Sequence, residues 1–161
     1  MMCFLLVLEI LVCCCGSGRW YFSPRGVMED HGVVADQADV RRIALSLPET
    51  IESEDSFGFR VRNSSSKSGS KQFAWAWHER VTPGKPRVPR ADVLAVRVAG
   101  PGEKEMLLAS DPEKFFTEPH YNGFPAVLVR LPAIGEDELR ELITDAWRSQ
   151  APRQLVRDSG R

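Results

Sequence analysis

Two short segments in the middle of the chain, residues 57–62 and 72–78, carry apolar side chains at alternate positions. A two-residue period is typical of a strand that buries one face. The stretch between them, residues 63–70, is rich in serine and suits a flexible turn. The sequence therefore predicts a β-hairpin with a long loop. Its buried face is expected to carry six residues: Phe57, Phe59, Val61, Phe73, Trp75 and Trp77.

Helices are predicted on both sides of this hairpin. A helix begins at Asp36, which with Asp39 provides an N-cap and an acidic first turn, and it ends at Pro48. The last helix starts in the acidic run 136–138 and places apolar residues at i, i+3, i+4, i+7 and i+8 up to Trp147. Terminal helices around a strand-rich centre predict an α+β domain whose antiparallel sheet is covered by those helices.

Proline and glycine residues, which interrupt helices and strands, delimit the remaining segments. Four Pro and Gly residues in the stretch 79–91 predict a second loop. A strand is expected at 92–98, a short helix from Pro101 and a strand at 126–131. Beyond Pro152 the chain is polar and is expected to be frayed.

One stretch, Asp111 to Leu131, is more distinctive than the rest. It joins Asp111-Pro112, the turn His-Tyr-Asn-Gly at 120–123 and the apolar strand at 126–131. With Leu-Pro-Glu-Thr at 47–50 and Phe-Gly-Phe-Arg-Val at 57–61, it resembles the MmcQ/YjbR family over about Asp39 to Leu155. The resemblance implies a small α+β fold related to the frataxin-like (CyaY-like) fold. It also implies DNA binding, a role assigned to family members from fold and charge.

The length of 161 residues fits one domain. We expect residues 33–155 to form it, residues 1–32 to be an N-terminal extension and residues 156–161 to be a flexible tail. The apolar run at 3–12 is shorter than the ~20 residues of a membrane-spanning helix. Met28 is the favoured true start, and lipidation of the cysteines that follow the apolar run is the alternative.

All four cysteines, Cys3 and the triplet at 13–15, precede the family resemblance. The folded domain is therefore expected to contain no disulfide and no thiolate metal site, which suits a reducing cytoplasm. We expect a cytoplasmic monomer or weak dimer with no cofactor and no metal.

Charge is distributed unevenly along the chain. Residues 57–97 carry nine basic and two acidic side chains, a net charge of +7, in a protein whose total is −1. Strand positions facing solvent and two flexible loops supply this charge, an arrangement that suits the DNA phosphate backbone. In the double-wing arrangement that the resemblance implies, both loops flank one duplex. The predicted DNA-binding residues are Arg60, Arg62, Lys67, Lys71, Lys85, Arg87, Arg90 and Arg97.

A different site is possible at the turn around His120, Tyr121 and Asn122. His120 could act as a general base if a carboxylate such as Glu118 oriented it. No nucleophile motif, metal-spaced His pair or phosphate loop accompanies it in the sequence. The favoured interpretation is that His120 and Tyr121 hydrogen-bond the turn and pack on the sheet. A groove here that binds a protein or a small molecule is the alternative to DNA binding, and an enzyme is not expected.

Overall fold

A computed structural model of the protein describes residues 34–82 and 84–160. The predicted extension at 1–32 and the proposed start at Met28 lie outside the described residues. The helices are α1 (Gln37–Ser46), α2 (Pro101–Ser110), α3 (Glu136–Gln150) and α4 (Arg153–Ser159). The strands are β1 (Thr50–Glu52), β2 (Gly58–Arg62), β3 (Ser70–Glu79), β4 (Val88–Arg97), β5 (Phe115–Phe116) and β6 (Ala126–Arg130).

The strands form one antiparallel sheet in the order β1-β2-β3-β4-β6-β5. Helices α1 and α3 pack against each other, and α3 lies across β3 and β4. This arrangement confirms the predicted α+β fold with an antiparallel sheet covered by terminal helices. None of the helices in the described ranges is long and apolar enough to cross a membrane.

Helix α1 begins where the sequence predicts, at the N-cap Asp36. One carboxylate oxygen of Asp36 accepts hydrogen bonds from the backbone N–H groups of Ala38 (2.7 Å) and Asp39 (3.0 Å). The Asp39 carboxylate accepts one from the Asp36 backbone N–H at 3.1 Å, which completes a capping box. The hydrogen bond from Arg42 and the one from the Asp36 backbone lower the pKa of Asp39.

The main core lies between the sheet and the pair of helices α1 and α3. Trp147 of α3 is its largest fully buried side chain, at 1% exposure. The indole Nε1–H of Trp147 donates to the backbone oxygen of Pro48 at 3.0 Å, which ties α3 to the end of α1. Burial therefore leaves no unpaired indole donor at this position.

Strand β4 begins at Val88, four residues before the predicted start, so the prediction of a loop over 79–91 was wrong at its C-terminal end. The strand includes Pro89, which lies opposite His78 of β3. Strand β6 pairs with β4 only from Val93 onward. Pro89 is therefore at a position with one neighbouring strand, where its missing N–H removes no hydrogen bond from a second ladder.

The C-terminal segment and the edges of the sheet also differ from the prediction. The end predicted to be frayed beyond Pro152 is instead the helix α4, and its residues Leu155 and Val156 pack against the core. The short strands β1 and β5 at the sheet edges were not predicted. Three and two residues are too few to present a recognisable period.

The most consequential correction concerns strand β3. Phe59 lies opposite Ala74, but the next residue, Arg60, lies opposite Gln72, so Phe73 is the extra residue of a β-bulge. The bulge places Phe73 and Ala74 together in the main core. Trp75 and Trp77 belong to a second apolar cluster, on the other face of the sheet. The prediction that both tryptophans share the face of Phe57, Phe59 and Val61 was therefore wrong.

Trp147→Ala is expected to lower the free energy of unfolding by about 3 to 5 kcal/mol, the usual cost of truncating a buried aromatic side chain. Trp147→Phe keeps most of the apolar volume and should cost less. Chemical denaturation of the two variants measures both values. Equal, small losses would mean that α3 does not depend on Trp147 for its position.

Candidate functional site

The face of the sheet opposite α1 and α3, here called the open face, is covered by aromatic side chains. Trp75 stacks on Tyr121, with ring centroids 6.4 Å apart and an interplanar angle of 18°. The Trp75 indole N–H donates to the Tyr121 hydroxyl oxygen at 3.2 Å. Phe124 meets both rings edge-on at 6.2 and 6.1 Å and is itself 43% exposed. The open face therefore offers an aromatic surface that is only partly covered.

The turn that supplies Tyr121 and Phe124 is held from two directions. Gly123 has φ 75°, a left-handed conformation that favours glycine. The ammonium of Lys104, on α2, donates to the backbone oxygens of Tyr121 (2.7 Å) and Phe124 (3.2 Å). Burial lowers the pKa of Lys104. The sequence motif at 120–123 thus acts by fixing two aromatic rings over the open face.

Three of the predicted DNA-binding residues, Arg60, Lys71 and Arg97, line one groove of about 400 Å³. We call it the basic groove. Neighbouring strands bring them together: Arg60 lies opposite Gln72, and Arg97 lies at the end of β4. Its other lining residues are polar or aromatic: Ser70, Gln72, Trp75, Phe124 and Gln150.

Arg97 has the most unusual environment in the basic groove. Its guanidinium lies over the Phe124 ring, 4.6 Å from the centroid, in a cation–π contact. Its Nε atom is buried and donates to no acceptor among the described residues. Burial lowers the pKa of Arg97, with no carboxylate nearby to oppose this effect. Arg97 is a partly desolvated cation that lacks a counter-ion in the described part of the chain.

The other two cations of the basic groove are less enclosed. Arg60 is half-buried, and its Nε–H donates to the Ser70 hydroxyl oxygen at 3.0 Å. Lys71 is exposed. Two further predicted residues lie at the same end of β3, on the loop side: Arg62 forms an exposed ion pair with Glu49 at 3.3 Å, and Lys67 lies exposed in the loop.

The remaining three predicted residues, Lys85, Arg87 and Arg90, lie at the opposite end of the sheet. The loop 63–69 precedes β3 and the loop 80–87 follows it, so the ten residues of the strand separate them by roughly 30 Å. Arg90 donates to both oxygens of Asp92 at 2.8 and 2.7 Å, and to Glu79 at 2.7 Å. The hydrogen bonds that Arg90 donates to Asp92 and Glu79 raise its pKa. Its charge is neutralised within the protein.

A second concavity, here called the side cavity, has a volume of about 540 Å³ and lies between α2 and the segment 117–125. The alternative site predicted at residues 120–122 borders this cavity. Asn122 lines the side cavity, Tyr121 is buried under the turn and His120 is exposed. His120 touches Tyr121 edge-on at 5.7 Å and makes no side-chain hydrogen bond within the described residues. Tyr121 therefore packs on the sheet as expected, but its hydroxyl bonds Trp75 of β3 and not the turn, and the hydrogen bond expected for His120 is absent among the described residues.

Within residues 34–82 and 84–160, no three His, Cys, Asp or Glu side chains converge closely enough to hold a metal ion. Two of the acidic residues in the segment 49–55 have basic partners. Glu52 accepts from Arg41 at 2.8 Å, and Glu49 pairs with Arg62.

The fold and the open face define a class of small α+β domains built on one antiparallel sheet. A crystal structure of Deinococcus radiodurans protein DR2400, described with the domain DUF419, has a similar fold. Its TM-score is 0.54 at 19% identity, and the match covers 79% of this chain and 89% of that one. The family model YjbR matches residues 45–149, so the chain belongs to the YjbR family.

Relatives with higher identity come from mycobacteria. The chain is 42% identical over 124 residues to uncharacterised proteins of Mycobacterium bovis and Mycobacterium tuberculosis. Each match covers 73% of this chain and 90% of the relative. The resemblance noted in the sequence is thereby confirmed at the level of the family.

Lys104, Thr117 and Phe124 are among the residues of these sites that were not predicted. Lys104 lies on α2, within an ordinary run of charged helical residues. Thr117 and Phe124 lie in irregular segments, where periodicity gives no information on burial. Only Gly123, next to Phe124, indicated a special turn.

Tyr121→Ala is expected to lower the free energy of unfolding by about 3 kcal/mol or more, because it removes a buried ring and leaves the Trp75 indole without its acceptor. His120→Ala should change it by less than about 0.5 kcal/mol, because the imidazole is exposed. Thermal or chemical denaturation checks both values. A larger loss for His120→Ala than for Tyr121→Ala would contradict the described packing of the turn.

Proposed function

We propose that the protein binds double-stranded DNA, without catalysis, through contacts between the basic groove and the phosphate backbone. The observation that supports this proposal best is Arg97. A partly buried guanidinium with an unpartnered Nε–H and no nearby carboxylate has lost hydration without gaining an ion pair. A phosphate oxygen in the groove would supply the missing negative charge.

The neighbours of Arg97 favour a phosphate over other anions. Arg60 and Lys71 line the same groove, so several cations surround one concavity. Arginine presents its donors in a planar fork that matches the oxygens of a phosphate. A backbone carries successive phosphates, so Lys67 in the adjoining loop could meet the next one along the strand. Positive charge concentrated in a concavity supports a polyanionic partner.

This proposal narrows the double-wing arrangement expected from the sequence. The two loops lie about 30 Å apart at opposite ends of β3. Arg90 is already paired with Asp92 and Glu79, so DNA would have to compete with two carboxylates for it. We therefore assign the principal contacts to the basic groove, and a smaller role to Lys85 and Arg87.

Contacts to phosphates position a duplex but carry no base sequence. No described helix presents a row of base-reading side chains toward the basic groove, whose walls are formed mainly by strands. We expect weak binding that differs little between duplexes of different sequence.

Replacing Arg60, Lys71 and Arg97 together with Gln should weaken duplex binding and flatten its salt dependence. Each lost phosphate contact reduces the slope of log affinity against log salt by about 0.9, so the slope should change by up to about 2.7. Fluorescence anisotropy of a labelled duplex, measured at several salt concentrations, gives this slope.

A matched control removes the same charge from the opposite end of the sheet. Arg80, Lys85 and Arg87 are all exposed in the second loop and can be replaced together with Gln. Their loss should change the slope by less than one contact, about 0.9. If this control changed the slope more than the groove variant did, DNA would bind at the loop 80–87 and not at the basic groove, which would contradict our proposal. Absence of duplex binding by the wild type at low salt would refute it.

A further inference from the structure

The basic groove is lined by aromatic rings as well as by cations. Phe124 is 43% exposed, and Trp75 lines the same groove and is half-buried. Arg60, Lys71 and Arg97 supply three positive charges, and no carboxylate lines the groove in the described part of the chain. Cations bind phosphates, and the faces of aromatic rings stack on any nucleobase. The lining therefore suits a ligand that carries both a phosphate and a flat ring.

The contact between Arg97 and Phe124 allows both kinds of interaction at one place. The Arg97 guanidinium lies over the Phe124 ring, 4.6 Å from its centroid. A guanidinium can stack through its face while the N–H groups at its edge donate to phosphate oxygens. Unstacked bases pack on arginine planes as well as on aromatic side chains. Arg97 and Phe124 together therefore offer a stacking surface beside a phosphate-binding edge.

Two amide side chains, Gln72 and Gln150, also line the basic groove. Each amide carries an acceptor oxygen and a donor NH₂ group. The Nε2 atom of Gln150 donates to the Ser149 hydroxyl oxygen at 2.9 Å, a bond that does not use the amide oxygen. An ionised phosphate diester has only acceptors, whereas the edge of a base carries both donors and acceptors. The amide oxygens therefore match a base better than they match a phosphate.

A fully paired duplex cannot use these features of the groove. Each of its bases is stacked between neighbours and has its Watson–Crick edge paired, so a base must leave the stack before a protein ring can cover its face. The volume of the groove, about 400 Å³, is that of a site for a small molecule. It is therefore on the scale of a single nucleotide.

We propose that the basic groove takes in one unpaired nucleotide of a DNA strand. Its base stacks on Arg97 and Phe124 with its edge toward Gln72 and Gln150, and its phosphate lies against the cations. This inference rests on the proposed function, because it uses the same groove and the same phosphate contacts. A fully paired duplex is then held by its phosphates alone, and a duplex with an unpaired end is held more tightly.

A comparison of DNAs that carry the same phosphates tests this inference. One labelled duplex is prepared with blunt ends, with a short thymidine tail, and with a tail of equal length made of abasic nucleotides. Fluorescence anisotropy on the full chain should show the thymidine tail binding at least about fivefold more tightly than the abasic tail, the effect of stacking one base. The salt slopes of the two tailed duplexes should agree, because their charges are equal. Equal affinity for the two tails would overturn the inference.

Phe124→Leu locates the stacking surface, because it removes the ring and keeps every charge of the groove. It should reduce the preference for the thymidine tail over the abasic tail to less than about twofold. Phe116→Leu is the matched control. Phe116 also lies under a guanidinium on the open face, 4.2 Å from Arg130, but does not line the groove. The control should keep the wild-type preference, and an equal loss in both variants would contradict the proposed position of the base.

The blunt duplex separates failure of this inference from failure of the proposed function. If the blunt duplex binds and the two tails bind equally, the inference fails and the proposed function stands. If none of the three DNAs binds at low salt, both fail. Chemical denaturation shows whether Phe124→Leu is folded, and the comparison of the two tails on the wild type decides the question if it is not.

Discussion

The bulge at Phe73 decides which side of the sheet each aromatic residue of β3 faces. Without the extra residue, Trp75 would lie on the same face as Phe59 and enter the main core. With it, the main core receives Phe73 and Ala74, while Trp75 and Trp77 cross to the open face. One irregular step in one ladder therefore creates both the packed core and the aromatic surface beside the basic groove.

The aromatic residues of the open face in turn determine how far the Arg97 guanidinium is desolvated. Trp75 stacks on Tyr121, and Phe124 packs edge-on against both rings. Phe124 then supports the Arg97 guanidinium from one side. The aromatic cluster removes water from Arg97 and provides a cation–π contact, but it contains no carboxylate. Phe124 also lines the side cavity, so one ring forms a wall of both candidate sites.

Most of the architecture could be predicted from the sequence because its long elements have strong periods. The capping box at Asp36, the alternation in 57–62 and the stripe ending at Trp147 all mark elements that the structure contains. The bulge could not be predicted, since a slip of one residue between two strands leaves no trace in the period of either strand alone. Because the bulge was not foreseen, the prediction placed Trp75 and Trp77 on the wrong face of the sheet. Lys71 and Arg90 were expected in the two loops but lie in β3 and β4. The two loops flank the single strand β3 and therefore lie at its opposite ends, which the double-wing interpretation did not take into account.

We propose that Arg97, which lies over the Phe124 ring on the open face and has no acidic partner among the described residues, makes the basic groove an anion site. Nuclear magnetic resonance of the arginine Nε–H groups during titration with a short DNA duplex tests it most directly. Our account predicts saturable shifts of the Arg97 and Arg60 Nε–H signals and of the Trp75 indole signal, with little change in the backbone amides of the loop 80–87. Shifts confined to that loop, with the Arg97 signal unmoved at saturation, would contradict it.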